Sequence, residues 1–384
     1  MTRPFDPEFD VIYSDEVAQL GDDPRRLRRL FAAGHLIRVR RGAYVLTERW
    51  LAADERMRHL ARVHAASHHA RERFVVAGTS AAAVWDAPVF APYGDVVEVL
   101  DGYRGGGRSE PGVRRLTSAA EHDHAVTLGR LEVTDVARTA IDLAAGRPLP
   151  EALAAIDWAI SHRTPDSTTP AVIRDRLRAM GPRRGVRVVW RAAELAVGDS
   201  GSGGESYARG VVHELGFEAP VCQLEVVDAV GRMFADFAWP GCRVIVEFDG
   251  WLKYADPRFN HGDPLEKVRR ERARDARLRA LGWTVVHAGW AEVRDAPRLA
   301  RLLADAGVPR RFPLVAGRAG SATTVPATTA PASAAPATAA PSSTAPAGET
   351  PSGREAFSPP RGRGSSRATS EAMRAVASAD RVER

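Results

Sequence analysis

Cysteine is nearly absent: Cys222 and Cys242 are the two in 384 residues. That excludes a disulfide-rich scaffold and a four-cysteine zinc site. Lysine is almost as scarce, with Lys253 and Lys267 the two beside a large number of arginines. Together with abundant Ala, Pro and Gly, this reads as a GC-rich coding bias. No apolar run approaches the roughly 18–20 residues that a membrane span needs. The opening MTRPFDPEFDVIY is acidic and mixed, unlike a secretory signal. The Gly-rich stretch GYRGGGRSEPG at 102–112 has no Lys-Ser/Thr after it, so it reads as a loop and not as a phosphate cradle. There is no internal repeat. The expectation is a soluble, cytoplasmic chain.

What is present is enough to bury a core: 44% of the residues are hydrophobic. At about 100–200 residues per domain, two or three domains follow. The formal charge is +6, from 54 basic and 48 acidic residues. Half of it lies in the tail, because Arg318 to Arg384 holds eight Arg and five acidic residues, or +3. That tail, 317–384, is rich in Ala, Pro and Thr and has few large apolar residues, which predicts disorder. Three ordered segments precede it, at 1–60, 61–198 and 199–310. The middle one mixes strand-like runs (FVVAG at 74–78, DVVEVL at 95–100) with helical ones (136–146 and 151–163). The class is α/β, α+β overall.

The N-terminal segment carries charge of one sign. Ser14 and Asp15 can cap a helix that ends near Gly21, and Asp22 or Asp23 can cap a second with Pro24 at its start. At 100° per residue, Leu27, Leu30 and Phe31 share one arc of that second helix, and Arg25, Arg26, Arg28 and Arg29 the other. Next come two short strands around Arg40-Arg41-Gly42, with Arg38 on the first. Between Arg25 and Gly42 there are seven Arg and no acidic residue. Helix, turn, Arg-studded helix and basic hairpin outline a winged helix-turn-helix, which suits double-stranded DNA. The plainer reading is a small helical domain with a solvated charged face. His64, His68 and His69 lie on a helical run without an HExxH pattern, so they read as solvated or capping histidines. Asp142 and Asp157 read as structural.

The third segment concentrates carboxylates. In MFADFAWPGCRVIVEFDGWLKY, two apolar runs flank Pro240-Gly241 and read as antiparallel strands over Phe234–Trp239 and Arg243–Phe248. A two-residue loop at Gly241-Cys242 sets Asp236 opposite Glu247, and alternation puts Asp249 on the Glu247 face. Opposed like charges repel, and a divalent cation removes the conflict. Oxygen-only ligands suit Mg²⁺ or Mn²⁺, held by Asp236 and Glu247. The plainer reading is two surface acids on an ordinary hairpin, which their place inside apolar runs weakens. Upstream, Glu205 begins a helical stretch in which Arg209 can pair with it. Downstream, Leu265–Leu281 is a basic helix followed by the strand WTVVHAGW.

Two resemblances follow from these strings. GHLIRVRRGAYVL and LEVTDVARTAIDLAAG resemble the N-terminal and middle regions of AbiEi-type antitoxins, over about residues 10–165. That implies a DNA-binding transcriptional module. GESYAR, ADFAWPGCRVIVEFDG and ERARDARLRALGWTVV resemble very-short-patch-repair-endonuclease-like domains of the PD-(D/E)xK nuclease superfamily, over about residues 200–303. That implies a mixed-sheet nuclease fold with Glu205, Asp236 and Glu247 around a metal. Asp249 stands where the superfamily pattern has Lys. The cationic role passes to Lys253, Lys267 or Arg272, the last matching a basic position on the family's helix. The leading expectation is a metal-dependent endodeoxyribonuclease. Its rivals are a non-catalytic AbiEi-type regulator with a degenerate nuclease fold, and a binder of structured RNA or of a protein partner.

Overall fold

The first forty-odd residues pair among themselves in one small sheet. In a computed structural model of the chain, residues 5–311 are described, apart from 69, 71–72, 102–109, 118–123, 183 and 250–263. The expected tail (317–384), most of the Gly-rich loop, His69 and Lys253 therefore lie outside the described residues, as does the side chain of Lys267.

The N-terminal elements are α1 (Pro7–Asp10), β1 (Ile12–Tyr13), α2 (Ser14–Gln19), α3 (Arg25–Ala32), β2 (Leu36–Arg40), β3 (Ala43–Leu46) and α4 (Thr47–Ala52). The strands form one antiparallel sheet in the order β1-β3-β2. Gly42, at φ 81°, makes the hairpin turn in a conformation that L-residues with a Cβ disfavour. Leu27 and Leu30 bury one side of α3 against Ile12, Val17, Leu36 and Tyr44. This is the winged helix-turn-helix arrangement the pattern predicted. Phe31, expected on the same apolar arc, is 40% exposed instead.

Helix α5 (Glu55–His68) runs through residue 60 and serves two cores. Ala61 and Ala65 pack against Val11, Tyr13, Ala43 and Val45. Val63 and Ala66 join the core of the middle region. That region contains β4 (Val75–Val76), α6 (Gly78–Trp85), β5 (Val97–Asp101), β6 (Val113–Thr117), β7 (Ala125–Leu128), β8 (Leu131–Thr134), α7 (Val136–Ala144), α8 (Leu149–Ile160), α9 (Pro170–Met180) and α10 (Val186–Leu195). Its mixed sheet has the order β6-β5-β4-β8-β7.

The third region opens with α11 (Gly203–Glu214), then β9 (Val221–Val227), β10 (Arg232–Trp239), β11 (Val244–Asp249), α12 (Pro264–Ala280), β12 (Thr284–Gly289), α13 (Trp290–Arg294) and α14 (Ala296–Asp305). The sheet order is β12-β11-β10-β9, with β9, β10 and β11 antiparallel and β12 parallel to β11. A parallel neighbour requires a long crossover, and α12 lies within it. One face packs Phe237, Val246 and Phe248 against Ala208, Val212, Leu299 and Leu303 of α11 and α14. The other packs Ala235, Ala238 and Ile245 against Leu278 of α12. Among the described residues, no helix is long and apolar enough to cross a membrane.

Candidate carboxylate site and nucleic-acid interface

On α3 the buried leucines leave Arg25, Arg28 and Arg29 exposed, with Arg26 half-buried. Arg29 has Asp23 at 3.8 Å, too long to hold it. On the wing, Arg38 lies over the Phe31 ring at 5.3 Å, which explains how Phe31 tolerates water on one side. Arg41 is exposed beside the Gly42 turn. Arg40 departs from the expectation. Its guanidinium pairs with Glu110 at 2.9 Å and donates to the Pro111 carbonyl at 3.3 Å. It ties the wing to the middle region.

The hairpin of β10 and β11 has the expected register. Phe237 pairs with Val246 and Trp239 with Val244, the register that would set Asp236 opposite Glu247, and the ladder ends at Phe237–Val246. The turn itself is longer than two residues: Pro240 to Arg243 connect the strands, with Arg243 at φ 54°. Glu247 is 7% exposed. Asp236 Oδ2 accepts from the Phe248 amide at 2.9 Å, and Oδ1 accepts from Gln223 Nε2 at 3.2 Å. The same Gln223 nitrogen donates to Glu205 Oε2 at 2.9 Å. Gln223 thus spans two carboxylates.

Gln223 does so at a conformational cost. It sits inside β9 at φ 50°, and the β9–β10 ladder runs from Ala235 paired with Leu224 to Phe237 paired with Cys222 without a Gln223–Asp236 step. A non-glycine residue held in the left-handed region costs on the order of 1–3 kcal/mol and persists where its surroundings demand it. Here the side-chain amide reaches Glu205 and Asp236 as a result.

Glu205 has local reasons to be where it is. Ser202 caps α11, its Oγ accepting from the Glu205 amide at 3.2 Å and donating to Glu205 Oε1 at 2.9 Å. The Gly201 amide donates to Glu205 Oε2 at 2.8 Å. This is one half of a capping box, since the Glu205 carboxylate takes the Gly201 amide and the Ser202 hydroxyl and not the Ser202 amide. Arg209 does not pair with Glu205, contrary to expectation. Its Nη2 donates to both oxygens of the buried Asp157 of α8, at 3.0 and 2.7 Å. Asp157 is therefore structural, as is Asp142, which receives the buried Arg138 at 2.9 Å.

The electrostatics report crowding. Burial, and after it the Asp236 charge, push Glu247 up to about 7, against the pull of Arg274 and His287. Burial and then Asp236 raise Glu205 as well, despite hydrogen bonds from Ser202, Gly201 and Gln223. Arg274 Nη1 stands 2.9 Å from Glu247 Oε1. The contact is an ion pair without hydrogen-bond alignment, and that buried oxygen has no hydrogen-bond donor among the described residues.

The cation beside Glu247 is thus Arg274 and not Arg272, which is exposed on α12. Asp249, in the place of the pattern's Lys, faces His287. Each ring nitrogen of His287 meets a carboxylate, Nδ1 with Asp249 at 3.2 Å and Nε2 with Asp275 at 3.0 Å. The Asp249 hydrogen bond is the largest cause that raises His287 to about 9, so the ring is a cation at neutral pH. Register places it on the strand beside Glu247. Arg274, His287 and Gln223 were not singled out from the sequence. Arg274 had a signal: it is four residues before Leu278, the fully buried contact of α12 with the sheet, so both share a face. For Gln223 no local signal exists.

Among the described residues, no group of three or more His, Cys, Asp or Glu stands ready to hold an ion. What remains is a pair, Asp236 and Glu247, with Glu205 committed to capping and to Gln223. A pair fits Mg²⁺, which is commonly held by one or two carboxylates and completes its shell with water and substrate phosphates. Arg274, 2.9 Å from Glu247 Oε1, would share that oxygen with an ion. The histidines of α5 are occupied elsewhere: His68 bonds Asp15 at 2.9 Å and stacks on Tyr13, and burial lowers His64 to about 4. His59, not noticed in the sequence, bonds Ser80 at 2.8 Å in the middle core.

A family model described as "Transcriptional regulator, AbiEi antitoxin" matches residues 9–47, the winged segment. Two proteins of Mycobacterium tuberculosis, from two strains and each described as uncharacterized, are 32% identical to the chain over 206 residues. The match covers 51% of this chain and 71% of each relative.

Proposed function

The chain belongs to the family of these two mycobacterial proteins and bears an AbiEi antitoxin-like regulator segment at its N-terminus, and from that premise we propose that it is a double-stranded DNA-binding protein with a metal-dependent phosphodiester-cleaving site. The carrying observation is Glu247: a buried carboxyl raised by burial and by the charge of a second carboxylate, Asp236, with the Arg274 guanidinium 2.9 Å from its Oε1. Burial of like charges is expensive unless something offsets it.

The exposed arginines of α3 and Arg41 of the wing meet phosphates and position the duplex; any base reading falls to the start of α3. Asp236 and Glu247 would hold the ion, and Gln223 with the Phe248 amide fixes the Asp236 carboxylate by a hydrogen bond to each oxygen. Mg²⁺ or Mn²⁺, when bound, supplies a more acidic water and offsets charge on the scissile phosphate. Arg274 and His287 add positive charge on the same face, in the role that the nuclease pattern gives to Lys. The helix, antiparallel three-strand run, helix and parallel strand support the very-short-patch-repair-like reading of this region.

A cleavage assay on supercoiled plasmid with Mg²⁺ or Mn²⁺ tests it. Wild type should nick or cut, and Asp236→Ala and Glu247→Ala should each lose that activity while still shifting DNA in a gel. A wild type that never cuts under either metal removes the nuclease half. It leaves the second reading, a non-catalytic AbiEi-type regulator, which the Arg274–Glu247 ion pair and the Asp249 departure favour.

A further inference from the structure

Glu205 is fastened from outside its own region. Just beyond the end of α8, Arg163 Nη1 donates to the carbonyls of Gly201 at 2.9 Å and Ser200 at 3.3 Å. Gly201 is the residue whose amide holds Glu205 Oε2. A Cβ at Gly201 would stand 2.6 Å from Glu205 Oε2 and 2.7 Å from Gln223 Nε2, so the loop backbone lies flush against both site side chains. Six residues earlier, on α8, Asp157 receives the amide of Val197 at 2.8 Å and the guanidinium of Arg209. The 197–202 loop is therefore held at Val197 by α8 and at Ser200 and Gly201 by the residue just past its end, and α11 is tied by Arg209. Further along the same seam, Gly210 of α11 leaves a Cβ no room against Pro150 of α8, at 2.5 Å.

We propose that the end of α8 is a working part of the carboxylate site. Arg163 is a positioning residue: it fixes the Gly201 loop, and through it the placing of Glu205 and Gln223 against Asp236. The middle region then does more than join a DNA-binding head to a nuclease-like sheet. It completes the site, which the sheet alone would leave with a loose Glu205. What the site is for rests on the phosphodiester-cleaving reading; the clamp does not.

The test uses the full-length protein with Arg163→Ala, Arg163→Lys, Gly201→Ala and, as a control, Arg178→Ala, which breaks the exposed pair with Asp175 in the same region. Amide hydrogen exchange reads the loop, and plasmid cleavage at saturating DNA reads the site. For Arg163→Ala, exchange at Gly201 and Ser202 should rise about tenfold, the worth of one ordinary hydrogen bond. Protection inside α8 and α11 should hold. The cleavage rate should fall by about ten- to a hundredfold, as misplaced site groups do, with DNA affinity unchanged. Arg163→Lys, which can still donate to a carbonyl, should recover part of both. Gly201→Ala should lose at least as much cleavage as Arg163→Ala.

Unchanged exchange at Gly201 in Arg163→Ala, or an equal rise in Arg178→Ala, overturns the clamp. A loosened loop with full cleavage overturns its role in the site. A wild type that does not cleave defeats the phosphodiester reading instead, and the exchange measurement still decides the clamp.

Discussion

The arginines of α3 and the carboxylates of the C-terminal sheet are both clusters of one charge sign, yet they differ in what water does for them. Arg25, Arg28 and Arg29 stand in solvent on the far side of a helix whose leucines are buried. Their repulsion is screened, so they cost little and imply little by themselves. Glu247 is buried and Glu205 nearly as much, at 7% and 8% exposure, with Asp236 between them. There screening is weak and each added negative charge is costly. An exposed cluster is compatible with many functions; a buried one demands an explanation for its survival.

The contrast can be broken from the buried side first. Asp157→Ala strands Arg209, which is 7% exposed, beside the site. Removing one partner of a buried pair costs about 3–5 kcal/mol. Denaturant unfolding should show a loss of that size, and a loss below about 1 kcal/mol would mean that the pair is solvated after all.

Glu247 gives the next largest effect, with a definite sign. Its folded pKa, about 7, is above the ordinary 4.5. Between those values the folded state binds more protons than the unfolded one. Stability without divalent metal should therefore fall as pH rises from 4.5 to 7, then level off, by roughly 3 kcal/mol for this group. Asp236→Asn removes the nearby charge and should flatten the fall. Added Mg²⁺ should flatten it too if Asp236 and Glu247 bind the ion. A pH profile indifferent to both changes would show that the two carboxylates do not feel each other.

On the exposed side, Arg25→Ala/Arg28→Ala/Arg29→Ala should leave folding untouched and weaken DNA binding. Each lost phosphate contact lowers the salt slope by about 0.9, so the triple variant loses up to about 3. Binding with an unchanged slope would move the interface off α3.

Much of this contrast is legible in the residues alone, and the division follows sequence distance. The α3 charge pattern needs one turn of helix to be read, and the register of β10 on β11 needs one hairpin. Both depend on short-range periodicity. The turn is four residues, Pro240–Arg243, and not two, but adding a residue to each side of a hairpin preserves its register. What escaped notice depends on contacts between distant segments. Arg209 prefers Asp157 to its neighbour Glu205, because α8 and α11 pack together and an unpaired buried Asp157 would be costly. Gln223 carries no sign of its left-handed backbone. Arg274 outranks Arg272 because of which face of α12 meets the sheet.

Arg40 belongs to the same class of surprise and supplies the smallest effect. It sits in the wing among arginines and reads as one more phosphate contact. Seventy residues away in sequence, Glu110 and the Pro111 carbonyl take its donors instead. A partly exposed ion pair is worth about 0–1 kcal/mol, so Arg40→Ala should change stability by no more than that. Its effect on DNA should be smaller still, with the salt slope kept, whereas Arg41→Ala at the neighbouring exposed position should lower the slope by about 0.9. Paired gel shifts at two salt concentrations separate the cases. Equal losses from both variants would mean that Arg40 leaves Glu110 for the duplex, and the wing's tie to the middle region would then be a contact that DNA breaks.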